Sequence, residues 1–377
     1  MNACHCCGHH LGVSVEGAEG ARLSARLPFL TLDMHCHLAN VEVEALVKSQ
    51  PGRQVEADAY RASLGEPSFE HNLGMRAAIG PRLHSIARRL QDMDRLGIDI
   101  QVLSPSPMQY YGWAEQGLAE AIATAHNTGI ADVVREHPER FVGLGAVPLQ
   151  HPALAARALR HAVQELGLLG VEITSDPTGN GLDDPALQVF WQEAERLGAV
   201  IFLHPMGTSL GARVNRFYLS NTVGQPLETT LALSELIYGG VLDRHPGLKI
   251  CAAHGGGYLP FAPGRFDHAH GVRPEAQACR LPPSEYLSRL WVDTVVFRPQ
   301  SVRTLIDTVG VSQVVAGTDY PFDMGEYALH DLVRAIPDTN ANEQEAILGG
   351  NAVGLLGLPA SHPALVFARA RIAELQA

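Results

Sequence analysis

The feature that most constrains this chain is a repeated order of helix, glycine and apolar strand. Ala87–Leu96 has the pattern of a helix, Gly97 follows it, and Ile98–Leu103 is a run dominated by β-branched residues. Glycine just beyond a helix end is a common C-terminal cap. Short continuous apolar runs are typical of parallel strands that are buried on both faces.

The same order recurs along the chain and predicts eight strands. The predicted strands are Thr31–His35, Ile98–Leu103, Phe141–Val147, Gly170–Thr174, Val200–Leu203, Leu248–Ala253, Leu290–Val296 and Val314–Gly317. Eight β-α units in one chain of 377 residues favour an α/β fold of the (β/α)8 TIM barrel type. The alternative, an open doubly wound sheet, predicts a G-x-G-x-x-G turn after an early strand, and the sequence has none there.

Two long connections interrupt the pattern. Residues 40–85, between strands 1 and 2, are polar and contain several prolines and glycines, so we expect a cap insertion over the strand ends. Residues 205–240 form a second insertion that becomes helical near Leu227–Ile237. We expect residues 1–28 to form a mobile Cys/His-rich tail and 29–377 to form the barrel. The tail could bind metal, but the paired spacing of zinc sites is missing.

Charge and cysteine content narrow the functional classes. The formal net charge of −12 argues against a partner that is a nucleic acid or an anionic membrane. No apolar run approaches the roughly 18 residues of a membrane span. Six scattered cysteines do not form a disulfide framework, and no signal peptide is evident, so we expect a cytoplasmic protein.

Side chains that bind metals lie at the carboxyl ends of several predicted strands. His35 and His37 end strand 1, His204 follows strand 5, and Asp319 follows strand 8. Residues at i and i+2 of a strand point to the same side, so both strand 1 histidines can face the barrel axis. The carboxyl ends of all barrel strands open onto one face. The four residues therefore predict one site for a divalent ion such as Zn²⁺.

The number of metals and the role of a further histidine follow from neighbouring residues. A second metal would need a bridging ligand, commonly a modified lysine, and strand 4 has no lysine. Glu172 is the alternative through which a second ion could bind. His254, before three glycines at the end of strand 6, fits a general acid or base, because imidazole titrates near neutral pH. A fifth metal ligand or a core histidine are the alternatives for His254.

Six segments together resemble the aminocarboxymuconate-semialdehyde decarboxylase branch of the amidohydrolase superfamily. They are Leu32–His37, Phe141–Gly145, Leu203–Pro205, Pro226–Thr230, Ala253–Gly257 and Gly317–Phe322. The resemblance runs from about residue 30 to about residue 357. It implies a distorted (β/α)8 barrel with a single divalent metal, usually zinc with manganese possible, and chemistry at C–C bonds next to carboxylates.

Carried over by position, the resemblance implies roles for individual residues. It makes His35, His37, His204 and Asp319 the metal ligands, and His254, assisted by Asp319, the catalytic residue. It further implies a homodimer in which Arg265 reaches the site of the partner subunit. Trp113 matches an aromatic residue of the family motif and could contact substrate, but a packing role is the alternative.

The sequence also departs from the family pattern at the rim of the site. Met206 and Gly207 follow the strand 5 histidine motif where the family's namesake has a tryptophan. Arg298 stands where relatives often have His-Asp, and it could hold a substrate carboxylate or pair with a surface acid. Arg76 and Arg82 are the candidates for a substrate-binding arginine of the cap.

We therefore expect a metal-dependent, non-oxidative decarboxylase of an aromatic or unsaturated, muconate-like carboxylic acid. The alternative is a metal-dependent hydrolase of a ring-cleavage product, lactone or amide that uses metal-bound hydroxide. A non-enzymatic metal-binding protein is a third hypothesis, but it gives His254 no role.

Overall fold

The computed structural model describes residues 25–177 and 179–376. Residues 1–24 of the predicted Cys/His-rich tail, with its cysteines and histidines between residues 4 and 10, lie outside the described residues. Residues 25–28 are described, and Arg26 pairs with the buried Asp99 (2.6 Å), so the expectation of a mobile tail does not hold for this last part. Within the described residues, no helix is long and apolar enough to cross a membrane.

Nine strands, all parallel to their neighbours, form the centre of the fold. They are β1 (Leu32–Leu38), β2 (Ile100–Pro105), β3 (Phe141–Gly143), β4 (Gly145–Ala146), β5 (Gly170–Ile173), β6 (Val200–Leu203), β7 (Lys249–Ala252), β8 (Leu290–Asp293) and β9 (Val314–Val315). They pair in the order β1-β2-β3 and β4 through β9. The strand predicted over Phe141–Val147 appears as two pieces, β3 and β4.

Backbone hydrogen bonds join the two runs of strands into a ring. Leu144 N–H donates to Leu103 O (2.8 Å), which carries the pairing with β2 past the break between β3 and β4. On the other side, Met34 N–H donates to Ala316 O (2.9 Å) and His37 N–H to Tyr320 O (2.8 Å), so the chain beyond β9 pairs with β1. The expected distorted (β/α)8 barrel is confirmed.

Several strand ends differ from the predicted ones by one to three residues, and the two largest differences, at β1 and β8, bear on the site. β1 continues to Leu38 and so includes both histidines of the His-x-His pair. β8 ends at Asp293, whereas we expected the strand to reach Val296. The reason is local, because the Asp293 carboxylate accepts a hydrogen bond from the Val295 amide (3.0 Å) and turns the chain out of the sheet.

Sixteen α-helices surround and close the barrel. They are α1 (Val41–Val47), α2 (Pro51–Leu64), α3 (Glu66–His84), α4 (Ile86–Leu96), α5 (Gln116–Glu136), α6 (Pro152–Gln164), α7 (Gln188–Leu197), α8 (Gln225–Tyr238), α9 (Val241–Arg244), α10 (Pro263–Val272), α11 (Pro283–Leu287), α12 (Pro299–Val309), α13 (Leu329–Arg334), α14 (Ala341–Glu345), α15 (Asn351–Leu356) and α16 (Pro363–Gln376); these are the α-helices among the described residues.

The apolar interior of the barrel is closed at one end. Inward-facing residues such as Met34 and Phe202 pack with Leu355 of α15 and Leu365 of α16 in one buried cluster. These helices cover the amino-terminal ends of the strands. Among the described residues, polar side chains can therefore gather inside the ring only at the carboxyl ends of the strands, because the apolar cluster fills the other end.

The segment between β1 and β2 is helical. Helices α2 and α3 meet at Gly65, whose φ of 72° lies in the left-handed region that favours glycine. A Cβ atom at this position would come within 1.9 Å of Asn215 O, so the turn packs directly on the second insertion. The two long connections thus touch each other above the strand ends.

A buried polar network, hereafter the Arg89 network, joins this helical cap to β1. The Arg89 guanidinium is fully buried, donates to the His37 carbonyl oxygen and lies over the Tyr320 ring, 4.7 Å from its centroid. Asp92 accepts from Arg82 Nε (2.9 Å) and from the Tyr320 hydroxyl (3.0 Å). Arg82, a sequence candidate for substrate binding, is thus part of this network.

Candidate metal centre and active site

The two histidines of β1 meet at the carboxyl end of the barrel. His35 Nε2 lies 3.1 Å from His37 Nε2, and each of these atoms lies 3.3 Å from Asp319 Oδ1. Both histidine side chains are fully buried. Cys36, between them, packs against the helices with Met93 and Leu96, as strand alternation predicts.

Two further histidines complete the cluster. His204 follows β6, and its ring centroid lies 5.1 Å from that of His254, which follows β7. One ligand atom each of His35, His204, His254 and Asp319 lies within 4.8 Å of the others. The structure therefore brings together the residues predicted to lie at four different strand ends.

His254 differs from the other histidines in its backbone and exposure. Its side chain is 18% exposed, whereas those of His35 and His37 are fully buried. Its φ of 54° and that of Asp319, 57°, lie in the left-handed region, which non-glycine residues seldom adopt. Such conformations persist only where the surroundings hold them, and they concentrate at functional sites.

A buried carboxylate that the sequence did not reveal, Asp293, organises this end of the barrel. It accepts from His35 Nδ1 (2.6 Å) and from the amides of His254 (3.0 Å) and Gly255 (2.9 Å). Because Asp293 holds Nδ1 of His35, the Nε2 atom of the ring faces the cluster. His37 is oriented in the same way, with Nδ1 3.0 Å from the Pro105 carbonyl oxygen.

Asp33 has the same role for the segment that carries Asp319. Its side chain accepts from the Thr318 amide (2.9 Å), from the Thr318 hydroxyl (2.6 Å) and from Gln101 (2.9 Å). Asp293 stands in an otherwise apolar strand, and Asp33 stands between Leu32 and Met34 in the buried strand β1. A charged residue there needs buried partners, and that signal could have identified both.

The electrostatics of the cluster is dominated by close opposite charges. Burial would lower the pKa of His35, but the carboxylates of Asp319 and Asp293 outweigh it and raise that pKa to about 10. Burial would raise the pKa of Asp319, but His35 and the other histidines hold it well below its usual value. Burial and the neighbouring imidazoles lower the pKa of His204 well below its usual value. Asp319 thus attracts cations strongly, and His204 stays neutral.

Several buried polar atoms of the cluster have no hydrogen-bond partner within the described residues. They are His204 Nδ1, His204 Nε2, His254 Nδ1 and Asp319 Oδ1. Unpaired buried polar atoms are costly, and a native protein retains them where an ion or ligand completes the site. Imidazole nitrogens with one carboxylate are a donor set that suits a divalent transition metal. The residues present therefore fit a metal ion.

Glu172, the sequence candidate for a second ion, lies on the other side of His37. Its Oε2 atom is 3.6 Å from His37 Nδ1, the ring nitrogen that points away from the cluster. Its Oε1 atom accepts a hydrogen bond from the Tyr110 hydroxyl. Burial raises the pKa of Glu172. In this position Glu172 lies beside His37 and lines a different cavity from the one that Asp319 lines.

A small cavity of about 80 Å³, hereafter the metal pocket, opens above the cluster. Its walls include His204, His254 and Asp319, together with Tyr60 and Asn72 of the cap. A larger cavity of about 730 Å³ lies beside it, and Tyr60 lines both. The histidines and the aspartate are therefore accessible to a small molecule from the cap side.

The residues proposed to bind substrate do not line the metal pocket of their own chain. Arg265, in the first turn of α10, and Arg298, before α12, are both exposed. The Trp113 ring packs over Gly52, where a Cβ atom would come within 2.3 Å of it, and beside Tyr111, with ring centroids 5.7 Å apart. The structure thus places Trp113 in the packing of the cap base.

Comparison with known proteins relates the whole barrel to decarboxylases. Residues 32–358 match the profile of the amidohydrolase family. The chain is 41% identical over 272 residues to 2-amino-3-carboxymuconate-6-semialdehyde decarboxylase of Dictyostelium discoideum, which covers 72% of this chain and 76% of the relative.

Solved structures show the same relationship. The crystal structure of 5-carboxyvanillate decarboxylase from Sphingomonas paucimobilis superposes with a TM-score of 0.76, at 25% identity over 88% of this chain and 100% of that one. Dihydroxybenzoic acid decarboxylase from Polaromonas sp. JS666, solved with manganese and the inhibitor 2-nitroresorcinol, gives 0.73 at 25% identity over 88% and 97%. This chain therefore belongs to the amidohydrolase family, in its aminocarboxymuconate-semialdehyde decarboxylase-like branch.

Proposed function

We propose that this protein is a metal-dependent, non-oxidative decarboxylase of an aromatic or unsaturated carboxylic acid. The observation that carries the proposal is the position of His254, beside Asp319 and at the floor of the metal pocket. A carboxy-lyase of this type needs a proton donor next to the carbon that loses carbon dioxide. The decarboxylases that this chain resembles support the same class of reaction.

We assign the metal to His35, His37, His204 and Asp319, as a single ion. Zn²⁺ is our first choice and Mn²⁺ the second, because nitrogen and oxygen ligands accommodate both. When bound, such an ion supplies positive charge that stabilises the negative charge developing on the substrate. The unpaired atoms of His204 and Asp319 support this assignment.

His254 is assigned to proton transfer because it is the most exposed histidine of the cluster. The bond between the substrate carbon and its carboxyl carbon breaks, and its electron pair stays on the substrate. The imidazolium of His254 delivers the proton that takes the place of carbon dioxide. Asp319 Oδ2, 3.6 Å from His254 Nε2, keeps the protonated ring oriented. His254 then regains a proton from solvent through its exposed edge.

We further propose a homodimer in which Arg265 approaches the site of the partner subunit and neutralises the carboxylate that is lost. Helix α10, which carries Arg265, buries none of its residues in its own chain. Tyr258, Phe261 and Val272, around this helix, are 40%, 42% and 58% exposed. Exposed apolar side chains grouped in this way are typical of subunit interfaces.

Two remaining assignments follow from the sequence. We propose a cytoplasmic location, which the free, buried Cys36, Cys251 and Cys279 support. We also propose that residues 29–377 form one barrel domain with insertions at 40–85 and 205–240. The helices that fill both connections support this division.

Metal removal tests the proposed function directly. Chelation is expected to abolish carbon dioxide release from 2,6-dihydroxybenzoate or 2-amino-3-carboxymuconate-6-semialdehyde, and one equivalent of Zn²⁺ or Mn²⁺ per chain is expected to restore it. Mass spectrometry of the products separates loss of carbon dioxide from gain of water, the result expected for a hydrolase. Two equivalents of bound metal, or full activity without metal, would contradict the proposal.

A further inference from the structure

We infer that the substrate of this enzyme carries a second aromatic ring, which extends from the metal pocket into the larger cavity between the cap and the barrel. This inference rests on the proposed function and narrows the size class of the acid. It follows from the volumes of the two cavities, from the residues at their boundary and from the apolar walls of the larger cavity.

The metal pocket by itself is too small for an aromatic acid. Its volume is about 80 Å³, whereas a cavity of about 150 Å³ is needed to hold one benzene molecule. The larger cavity, at about 730 Å³, lies within the range of about 300–1,000 Å³ that is typical of ligand sites. An acid whose carboxylate lies at the metal cluster therefore has to extend beyond the metal pocket.

The boundary between the two cavities is suited to the passage of a ring. Six residues line both cavities, namely Tyr60, Ser63, Pro107, Met108, Met206 and Gly207. Methionine side chains are unbranched and flexible, so Met108 and Met206 can move aside for a ligand. A Cβ atom at Gly207 would meet no atom within 4 Å, so open space lies beside the chain there. This is also the place where the family's namesake has a tryptophan and this chain has smaller side chains.

Apolar side chains from three parts of the fold line the larger cavity. They come from α3 of the cap, from α5 and from the segment beyond β4, namely Phe69, Leu73, Leu83, Ile122, Val147 and Leu149. Leu73 is 51% exposed although it lines this cavity. Such walls favour an apolar group of the ligand, because binding removes the apolar surfaces of both partners from water.

The arginines of the larger cavity are also compatible with a ring. Arg53 pairs with Glu44, with 3.6 Å between Nη2 and Oε2, so this cation already has an anionic partner. Arg76 lies over the Tyr60 ring, 4.9 Å from its centroid. A planar guanidinium stacks in the same way on the ring of a ligand. Because Tyr60 lines both cavities, it stands with Arg76 beside the path of the second ring.

A third cavity adjoins the metal pocket, but its boundary is less suited to a ring. Its volume is about 560 Å³, and it shares Tyr218, Asp323 and Met324 with the metal pocket. An aromatic ring against Asp323 would remove water from the carboxylate without replacing its hydrogen bonds. Among the described residues, the boundary with the larger cavity contains no charged side chain. The larger cavity is therefore the site that we assign to the second ring.

Three ligands that differ only in the second ring test the inference. The probes are 2-hydroxybenzoate, 3-hydroxy-2-naphthoate and 2-hydroxy-4-phenylbenzoate, which share a carboxylate beside a hydroxyl and carry no second ring, a fused ring or an attached ring. Their dissociation constants are measured by calorimetry on the metal-loaded protein at pH 7. We expect at least one of the two-ring ligands to bind at least about tenfold more tightly than 2-hydroxybenzoate.

Gly80→Phe is the informative variant, because it places a side chain in the larger cavity and not in the metal pocket. Gly80, on α3, lines the larger cavity, and a Cβ atom there would meet no atom within 4 Å. We expect the two-ring preference to fall to about threefold or less, because the added ring occupies the space of the ligand.

Gly74→Phe, on the same helix, is the matched control and should keep the wild-type preference. A Cβ atom at Gly74 would also meet no atom within 4 Å, and Gly74 lines neither cavity. Gly80→Leu repeats the test with a smaller side chain if phenylalanine destabilises the fold. Melting curves and metal content, measured for each variant, show that the fold and the metal cluster are intact.

Several results would overturn the inference. They are equal or tighter binding of 2-hydroxybenzoate by the wild type, no measurable binding of either two-ring ligand, a full two-ring preference in the folded Gly80 variants, or an equal loss of that preference in Gly74→Phe. Because binding is measured without turnover, the outcome is separable from that of the carbon dioxide assay. A protein that prefers two-ring ligands but releases no carbon dioxide would contradict the proposed function alone.

Discussion

His254 is the residue whose chemistry the proposed reaction most needs. His254→Asn keeps a polar side chain but removes the titratable group, so we expect the metal content to stay at one equivalent. Turnover should fall by about 10²- to 10⁴-fold, the usual contribution of general acid–base catalysis. Steady-state kinetics and metal analysis of the same preparation measure the two effects.

The control for this substitution is an exposed histidine on α10. His268→Asn should leave both the rate and the metal content unchanged, because the side chain lies on the surface. A His254→Asn variant with the wild-type rate would remove His254 from the mechanism. Loss of the metal from that variant would instead indicate that His254 is a metal ligand.

Asp293 is not a proposed metal ligand itself, but it positions the proposed ligand His35 through a hydrogen bond. In Asp293→Asn an amide replaces a carboxylate that accepts from the His35 ring and from the amides of His254 and Gly255. The NH₂ group of the asparagine would then face the N–H donors that the carboxylate accepts from, so one of these hydrogen bonds is lost and the ring of His35 loses its fixed orientation. We expect the metal affinity to fall by about 10- to 100-fold.

Competition with a chromogenic chelator measures this affinity without any substrate. Asp307→Asn, at an exposed ion pair with Arg303, is the control and should bind metal like the wild type. An unchanged affinity in Asp293→Asn would mean that the ring of His35 is held by the strand alone.

At the scale of elements, neighbouring barrel helices are tied by a surface ion-pair cluster. Glu193 on α7 accepts from Arg196 of the same helix (2.9 and 2.7 Å) and from Arg160 of α6 (2.7 Å). Arg196 and Arg160 together lower the pKa of Glu193 to about 2. The ionised form of Glu193 is therefore favoured in the folded protein. The ion pairs stabilise the fold fully at pH values above the pKa of Glu193 in the unfolded chain, near 4.5.

We expect Glu193→Gln to lower the free energy of unfolding at pH 7 by about 1 kcal/mol, since the arginines are largely exposed and screened. The difference from the wild type should shrink as the pH falls from about 4.5 towards 2, because the wild-type carboxylate is then protonated too. Urea unfolding curves at several pH values measure it. A difference that stays constant over this range would show that packing, not charge, accounts for the effect.

The elements that could be predicted from the sequence are those with a local signal. Strand ends with His35, His204, His254 and Asp319 were identified because apolar runs stop at polar residues there. The helices of the cap were not predicted, because the prolines Pro51, Pro67 and Pro81 leave residues 40–85 without a regular helical pattern. Pro51 and Pro67 stand at the first turns of α2 and α3, where proline lacks no needed hydrogen bond.

Other features depend on contacts between distant residues, and no local pattern contains them. The support that Asp293 gives to His35 joins residues 258 positions apart. Arg76 and Arg82 look equivalent in the sequence, yet Arg82 is buried against Asp92 and Arg76 lies over Tyr60. Tertiary packing decides which of them can meet a ligand.

At the scale of the whole molecule, the proposed dimer predicts complementation between two inactive variants. Arg265→Ala leaves the metal site of its own chain intact, and His35→Ala leaves Arg265 intact. Each homodimer should be inactive. In a mixed dimer, one site combines an intact metal cluster with an intact arginine, so a 1:1 mixture should regain about a quarter of the wild-type activity.

Mixing must follow subunit exchange, which differently tagged chains make measurable. The control is His35→Ala mixed with His204→Ala, in which no mixed dimer has an intact metal cluster, and it should stay inactive. A fully active Arg265→Ala homodimer would contradict a shared site, and so would an inactive mixture in which exchange has occurred.

The Arg89 network has a consequence for how this enzyme can diversify. One guanidinium grips the backbone at His37 and the ring next to Asp319, and its neighbours anchor the last turn of α3. Substitutions in the outer turns of the cap helices can change which substrates the enzyme binds without moving the histidines and Asp319 of the metal cluster. A substitution that weakened the contacts of the last turn of α3 with the Arg89 network would displace the histidines of the metal cluster. New substrate specificities should therefore arise in variants that keep the Arg89 network unchanged.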